Sequence, residues 1–170
     1  MRAIIVREPG DETVLQLGDA PPPALGPAEI RIRVRATAVN RADLLQRQGM
    51  YPPPPGASEI LGMECAGDVI EMGPGAVGLR PGERVMALLP GGGYAEEACV
   101  DHGSVIPLPD GMSYEEGGAF PCKIAPDFVH KYSNGGQSSK CQATGTSTRS
   151  TGRPQRYSSV VENSSPTRHQ

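Results

Sequence analysis

Two glycine-rich runs are the first residues of this chain whose pattern suggests chemistry. Residues 73–78 read Gly-Pro-Gly-Ala-Val-Gly, which matches the G-x-G-x-x-G pattern of dinucleotide-binding proteins. That pattern holds a pyrophosphate where a helix begins and points its free amides at the ligand, but Pro81-Gly82 follows and stops a helix. The run Gly91-Gly92-Gly93 lacks the lysine and hydroxyl residue of a phosphate-binding P-loop. We therefore interpret both runs as turns between strands.

A tyrosine and three histidines are the next candidates. Tyr51 begins the run Tyr51–Gly56, in which four prolines stand in a row. Its phenol could stack on a flat ligand or donate a proton, and the prolines could dock on an SH3 or WW domain or merely stiffen a loop. His102, His130 and His169 have no partners at the spacing of a metal site or a catalytic triad. We expect no metal site.

Short β-prone runs separated by Gly and Pro dominate the first 121 residues. Residues 29–38 alternate for six positions, with apolar side chains at 30, 32 and 34 and arginines at 31, 33 and 35, as on a half-buried antiparallel strand. This spacing favours a mainly β domain, either a small barrel or a sandwich. Other predicted strands are Ala3–Val6, Val14–Leu17, Ala66–Met72, Arg84–Leu89 and Ala95–Val100.

Two short helices are predicted between these strands. Asn40 can cap a helix that runs through Asp43 to Gln48, because its side-chain oxygen can accept an amide hydrogen of the first turn. Ser113 followed by Glu116 fits the capping-box pattern. The glycines at 117 and 118 and then Pro121 end that second pattern.

Composition excludes several classes of protein. The chain has no run of eighteen apolar residues and no signal-peptide core at its start, so we expect a cytoplasmic protein without a membrane partner. Residues 1–121 contain 9 Arg and 17 Asp or Glu, a net charge of −8, which argues against a nucleic-acid partner. The cysteines at 65, 99, 122 and 141 form no C-x-x-C pair and are interpreted as buried thiols.

Residues 122–170 differ from the rest of the chain. They contain all three lysines, fourteen Ser and Thr and a net charge of +5 from 7 Lys or Arg and 2 Asp or Glu. Apolar residues are too few to offset chain entropy. We expect a disordered, low-complexity Ser/Thr-rich tail, and the abrupt change in composition suggests the hypothesis of a shifted reading frame or an alternative exon.

The run Asn40–Ser58 is long and specific in its sequence. Together with residues 60–67, 87–93 and 106–111, it resembles the quinone oxidoreductase branch of the zinc-free medium-chain dehydrogenase/reductase superfamily. The resemblance covers residues 1–121 and does not extend into the tail. It implies that residues 1–121 form an incomplete GroES-like, alcohol-dehydrogenase-like domain, a partly open barrel with short helices.

The resemblance also implies a chemistry. Members of this branch transfer reducing equivalents from NADPH to a quinone or another electron-poor small molecule. Zinc-dependent relatives have Cys at the position of Asn40 and His at that of Met63, and Asn and Met are poor zinc ligands. The implied cofactor is therefore NADPH, with no metal.

Four residues of this sequence match the family's substrate and cofactor site: Asn40, Asp43, Tyr51 and Met63. Asn40 would donate a hydrogen bond near the nicotinamide and the quinone oxygen, although it could also serve only as a helix cap. Tyr51 would line the quinone pocket and is the candidate proton donor. Glu64, beside the lost ligand position, is interpreted as structural.

The sequence departs from the family after Pro121. Family members continue with a Rossmann domain and then complete the barrel, and we expect both to be absent here, so that the chain alone is inactive and whether it binds NADPH is in doubt. Full-length relatives could form homo-oligomers. The alternative interpretation is a non-enzymatic fragment that pairs with full-length subunits or other partners.

Overall fold

The computed structural model describes residues 1–124. These residues form seven strands, three short helices and two 3-10 turns. The strands are β1 (Arg2–Ile5), β2 (Gln16–Asp19), β3 (Glu29–Thr37), β4 (Glu64–Met72), β5 (Arg84–Leu88), β6 (Glu97–Asp101) and β7 (Val105–Pro107). The helices are α1 (Arg41–Arg47), α2 (Tyr114–Gly118) and α3 (Pro121–Ile124), and the 3-10 turns span Glu12–Val14 and His102–Ser104.

Five strands form one antiparallel sheet in the order β6-β3-β4-β5-β7, and β1 pairs with β2 in a second, two-stranded sheet. Backbone hydrogen bonds also link β1 to the segment before β6, from Ile4 N to Tyr94 O (2.8 Å) and from Glu96 N to Arg2 O (3.1 Å). The larger sheet is open between β6 and β7. A mainly β, partly open GroES-like fold is therefore confirmed.

Strand β3 is central to the core. Ile30 and Ile32 are fully buried and pack in one apolar cluster with residues of β4, β5 and β6. Arg33 and Arg35 point to solvent, as the alternation predicts. The Arg31 side chain is only 15% exposed, because its guanidinium lies between two carboxylates, Glu71 at 3.0 Å and Glu97 at 3.3 Å.

The structure corrects several sequence predictions. Residues 12–14 form a 3-10 turn, so that β2 begins at Gln16 and not at Val14. Strand β7 was missed because only three residues pair with β5. Pro121 does not end helical structure but begins α3, since proline is tolerated in the first turn of a helix, where no amide partner is needed. Residues 122–124, assigned to the tail, lie in this helix, whereas the rest of the tail and Cys141 lie outside the described residues.

Both turn predictions are confirmed. Residues 73–78 connect β4 to β5 without a helix, and Gly91–Gly93 lies between β5 and β6. The capping box at Ser113 is also confirmed, because its hydroxyl accepts the amide hydrogen of Glu116 and the Glu116 carboxylate accepts that of Ser113. Within residues 1–124 no helix is long and apolar enough to cross a membrane.

A network of side chains connects α2 to the larger sheet. The Tyr114 hydroxyl donates a hydrogen bond to the Asp68 carboxylate on β4, and Arg35 Nε donates another at 2.8 Å. The Arg84 guanidinium lies 4.6 Å from the centre of the Tyr114 ring and donates to the carbonyl of Met112 at 2.6 Å. We call Arg35, Asp68, Arg84 and Tyr114 the Asp68 network.

Candidate functional site

The candidate site begins where β3 leads into α1. The helix starts directly after Asn40, so the predicted capping position is confirmed, and the helix ends at Arg47, one residue before the predicted Gln48. The Asp43 carboxylate accepts the backbone N–H of Asn40 at 2.7 Å and that of Gly62 at 3.2 Å. Asp43 is only 2% exposed and therefore ties the start of α1 to the loop before β4.

Glu64, the first residue of β4, contacts the same asparagine from the other side. Its side chain is 1% exposed, and its Oε1 accepts a hydrogen bond from Asn40 Nδ2 at 2.8 Å. Its Oε2 accepts the backbone N–H of Cys122 at 2.9 Å. Asn40 is thus held by two buried carboxylates, one through its backbone and one through its side chain.

Tyr94 adds a third polar side chain. Its hydroxyl donates a hydrogen bond to the carbonyl oxygen of Ala38 at 3.4 Å. Burial and the neighbouring Asp43 carboxylate raise the pKa of Tyr94, so its phenol remains protonated. We call Asn40, Asp43, Glu64 and Tyr94 the Asn40 cluster.

The electrostatics of the cluster are set by burial. Burial raises the pKa of Asp43, and the hydrogen bonds from the backbone N–H groups of Asn40 and Gly62 only partly oppose that effect. The nearby Glu64 carboxylate raises it further. No lysine or arginine of residues 1–124 forms an ion pair with either carboxylate. Among the described residues, the hydrogen bonds to these two buried carboxylates therefore come from N–H donors.

Two cysteines border the cluster. Burial and the Glu64 carboxylate raise the pKa of Cys65 to about 12 and that of Cys122 to about 12. A thiol reacts as its thiolate, so neither is a nucleophile near neutral pH. Cys65 is buried as predicted, whereas Cys99 and Cys122 are half-buried, and all three are free thiols.

The four predicted site residues have different surroundings. Asn40 and Asp43 lie together in the cluster, with Glu64. Met63 is buried next to Glu64, and its carbonyl oxygen accepts the backbone N–H of Leu89 at 2.8 Å. Tyr51 is half-buried at the start of its proline run, and its hydroxyl has no hydrogen-bond partner among the described residues. The roles of all four as ligand contacts stay predictions.

Sequence reasoning missed Tyr94 and Cys122. Tyr94 directly follows Gly91–Gly93, a run that the sequence pattern identifies only as a turn between strands. The signal that could have found Tyr94 is that a glycine run lets the following residue approach another segment closely. Cys122 could not be found from sequence, because its contact with Glu64 depends on α3.

The described residues fit only part of a dinucleotide cofactor. Polar groups for the reacting end exist at the Asn40 cluster, but the single G-x-G-x-x-G run lies in the β4–β5 turn with no helix behind it. Residues 1–124 thus contain no helix start that would hold a pyrophosphate in the Rossmann manner. They also contain no group of three or more His, Cys, Asp and Glu side chains arranged to hold a metal ion.

The open GroES-like sheet and the site at the end of β3 define an N-terminal domain of the medium-chain dehydrogenase/reductase type. Residues 26–110 match the family model described as the alcohol dehydrogenase GroES-like domain. The match covers 85 of 170 residues, half of the chain, and the chain therefore belongs to this family. The family is one of oxidoreductases.

Several proteins are similar to this chain. The synaptic vesicle membrane protein VAT-1 homolog of Rattus norvegicus is 40% identical over 109 residues, 64% of this chain and 27% of that protein. The crystal structure of the human VAT-1 homolog-like protein is 35% identical with a TM-score of 0.69, over 76% of this chain and 42% of that one. The Escherichia coli quinone oxidoreductase complexed with NADPH is 29% identical with a TM-score of 0.64, over 71% and 37%. The chain thus spans less than half of each of these proteins.

Proposed function

We propose that this chain provides the acceptor-binding domain of an NADPH-dependent oxidoreductase whose acceptor is a quinone or a similar electron-poor molecule. Asn40 would contact the acceptor oxygen. The observation that carries this proposal is the way in which Asn40 is held, by two carboxylates that are each at least 98% buried. An amide fixed in this way is preorganised for a ligand, which reduces the entropy lost on binding.

The chemistry of the amide agrees with an oxygen-bearing ligand. Asn40 Nδ2 carries two hydrogens, and the contact with Glu64 uses one. The second hydrogen can be donated to a carbonyl oxygen of the acceptor. Tyr51 remains the candidate source of a proton, and in this proposal it must approach the ligand from the proline run.

The likeness to a quinone oxidoreductase solved with NADPH supports the cofactor. NADPH would supply the reducing equivalents, while the residues described here would bind and orient the acceptor. Because residues 1–124 do not offer the phosphate site, the cofactor would need further residues for its pyrophosphate. In this proposal the protein is cytoplasmic. No observation favours the alternative of a non-enzymatic binding fragment.

The acceptor part of the proposal is tested by NMR of the ¹⁵N-labelled chain. Duroquinone is a suitable probe because its four methyl groups prevent thiols from adding to the ring. We expect it to shift the side-chain amide signals of Asn40, whereas durene, which has the same carbon skeleton but no oxygens, should leave them in place. Equal effects of the two compounds, or none, would refute the role of Asn40.

The cofactor part is tested separately by titrating NADPH into the chain and following its fluorescence. Saturable binding that Asn40→Leu weakens would support the nicotinamide contact. Absence of saturable binding would refute NADPH binding by this chain, while the duroquinone result would still stand.

A further inference from the structure

The run Tyr51–Gly56 lies between α1 and β4 and belongs to no helix or strand. Proline fixes φ at about −65°, and a residue that precedes proline is restricted to extended conformations. Residues 51–54 each precede a proline, and no peptide bond among residues 1–124 is cis. The run is therefore restricted to the polyproline II conformation, an extended left-handed helix with about three residues per turn.

A type II turn ends the proline run. The backbone N–H of Ala57 donates to the carbonyl of Pro54 at 3.0 Å. Gly56 has φ +82°, as the third residue of a type II turn requires, and Pro55 fits the second position through its fixed φ. A Cβ added at Gly56 would meet no atom within 4 Å. The end of the run thus projects into open space.

The exposure of the run follows the period of this helix. Because a turn takes about three residues, every third residue lies on the same edge. Tyr51 and Pro54 are half-buried, whereas Pro52, Pro53 and Pro55 are exposed. One edge therefore faces the domain, and the edge with Pro52 and Pro55 faces solvent. Pro53 borders a cleft of about 170 Å³ beside the run. We call Pro52, Pro53 and Pro55 the proline ridge.

The chemistry of the proline ridge defines the partner that fits it. Proline has no N–H, so the ridge offers apolar rings and carbonyl acceptors but no donor. The carbonyls of Pro52 and Pro53 accept no hydrogen bond from the described residues. Residues 48–58 contain no charged side chain, so ion pairs do not contribute there. A groove of aromatic rings with Trp or Tyr donors, as in a WW domain, matches these properties.

A second proline run in the chain lacks these properties. Pro21–Pro23 has only three prolines, so no two of them lie on the same edge. Pro21 and Pro22 are exposed, but Pro23 is half-buried and its carbonyl accepts the Cys99 thiol at 3.9 Å. In the whole sequence, Pro52 and Pro55 are the only two prolines that stand three positions apart.

We propose that the proline ridge is a docking site for a protein domain with an aromatic groove of the WW type. The exposed proline rings would pack against the aromatic rings of the groove, and the free carbonyls would accept its hydrogen bonds. Because the run is already extended and closed by its turn, little conformational entropy is lost on docking. The ridge contains no residue of the Asn40 cluster. Docking therefore adds a partner to the proposed oxidoreductase domain and does not require a non-enzymatic role.

The test is an NMR titration in which the unlabelled full chain is added to a ¹⁵N-labelled WW domain that binds proline-only peptides. We expect saturable shifts of the amide signals that line the aromatic groove. The double variant Pro52→Ala/Pro55→Ala should weaken the affinity by about tenfold or more, because both rings of the exposed edge are lost. Pro21→Ala/Pro22→Ala is the matched control, since it removes two exposed prolines from the other run. The control should leave the affinity unchanged.

A peptide of residues 49–58, with and without the same two alanines, keeps the test independent of the folding of the variants. The unsubstituted peptide should bind the same groove and compete with the full chain. Binding of the peptide without binding of the chain would overturn the proposal, because the domain would then cover the edge. Absence of binding by both, equal losses in the two double variants of the chain, or tighter binding to an SH3 domain would overturn it as well.

Discussion

The chain contains two pairs of an aspartate and a tyrosine that behave in opposite ways. In the Asn40 cluster, Asp43 is buried beside Tyr94, and burial raises its pKa. In the Asp68 network, partial burial also acts to raise the pKa of Asp68, but the hydrogen bonds from Tyr114 and Arg35 and the charge of Arg35 outweigh it, and the pKa is lowered. The same two side-chain types thus give opposite shifts.

The difference comes from the arginines. Asp68 faces Arg35 at 2.8 Å, and its side chain is 20% exposed, so its charge is both paired and partly hydrated. Asp43 has neither advantage. The Asp68 network therefore fastens one helix to the sheet and gains stability from its charge, whereas the Asn40 cluster keeps a charge that is costly to bury. A well-ordered polar group whose burial costs free energy is more typical of a binding site than of a purely structural contact.

Among the substitutions that disrupt the Asn40 cluster, Gly62→Ala should have the largest effect on stability. Gly62 has φ +108°, and a Cβ there would lie 2.6 Å from Gly93 Cα and from the backbone nitrogen of Tyr94. We expect a loss of about 4 kcal/mol in the free energy of unfolding, measured by urea denaturation. Gly78→Ala is the matched control, because Gly78 has φ +84° but open space around it. It should cost about 1 kcal/mol, and equal losses would contradict the close approach at Gly62.

A somewhat smaller loss is expected for Glu64→Ala. The substitution leaves Asn40 Nδ2 and the backbone N–H of Cys122 without their acceptor, which should lower the free energy of unfolding by about 3 kcal/mol. Glu83→Ala, at a carboxylate whose hydrogen bond to Arg80 N is exposed, should change it by about 0.5 kcal/mol. Comparable effects would mean that Glu64 does not stabilise the cluster.

The contrast between Asp43 and Asp68 is tested by replacing each aspartate with asparagine and measuring the free energy of unfolding as a function of pH. The folded pKa of Asp43 lies above the ordinary value of 3.8, so its contribution is full at acid pH and is lost as the pH rises through the folded pKa. The folded pKa of Asp68 lies below 3.8. The contribution of Asp68 to the free energy of unfolding is therefore present at neutral pH and is lost as the pH falls through the folded pKa.

Stability relative to wild type should therefore rise with pH for Asp43→Asn and fall with pH for Asp68→Asn. We expect a change of about 1 kcal/mol in each direction, measured by urea denaturation between about pH 3 and pH 7. If the stability of the two variants relative to wild type changed with pH in the same direction, the proposed difference between the two regions would be wrong.

The smallest expected effect is that of Tyr114→Phe. The variant loses the hydrogen bond to Asp68 but keeps the ring that lies under Arg84. The free energy of unfolding should fall by about 1 kcal/mol or less. A loss as large as that expected for Glu64→Ala would show that the Asp68 network contributes as much to stability as the Asn40 cluster.

Local pattern was enough to predict much of the fold. The alternation in residues 29–38 predicted β3 and its buried face, and Ser113 with Glu116 predicted the start of α2. Arg31 was predicted to face solvent like its neighbours, because no spacing in the sequence shows that Glu71 and Glu97 flank it. Strand β7 is too short to give a periodic signal.

The sequence predicted residues of the candidate site but not the hydrogen bonds that connect them. Asn40 lies beside Glu64 because the β3–β4 register pairs Thr37 with Cys65 and so brings the end of one strand to the start of the next. That register is a property of the sheet and not of either segment. Tyr94 enters from a third segment, which only the assembled fold brings near Asp43.

The order of the strands also has a consequence for how the domain forms. Strand β3 pairs with β6, where Glu29 lies opposite Asp101 at a separation of 72 positions, and the main core cluster is built from residues of β3, β4, β5 and β6. Closing such long loops before their contacts can stabilise the chain makes folding slow, in the range of about milliseconds to seconds for comparable β domains. During synthesis, residues 29–33 therefore have no partner strand on this side until the segment at residues 97–101 has emerged.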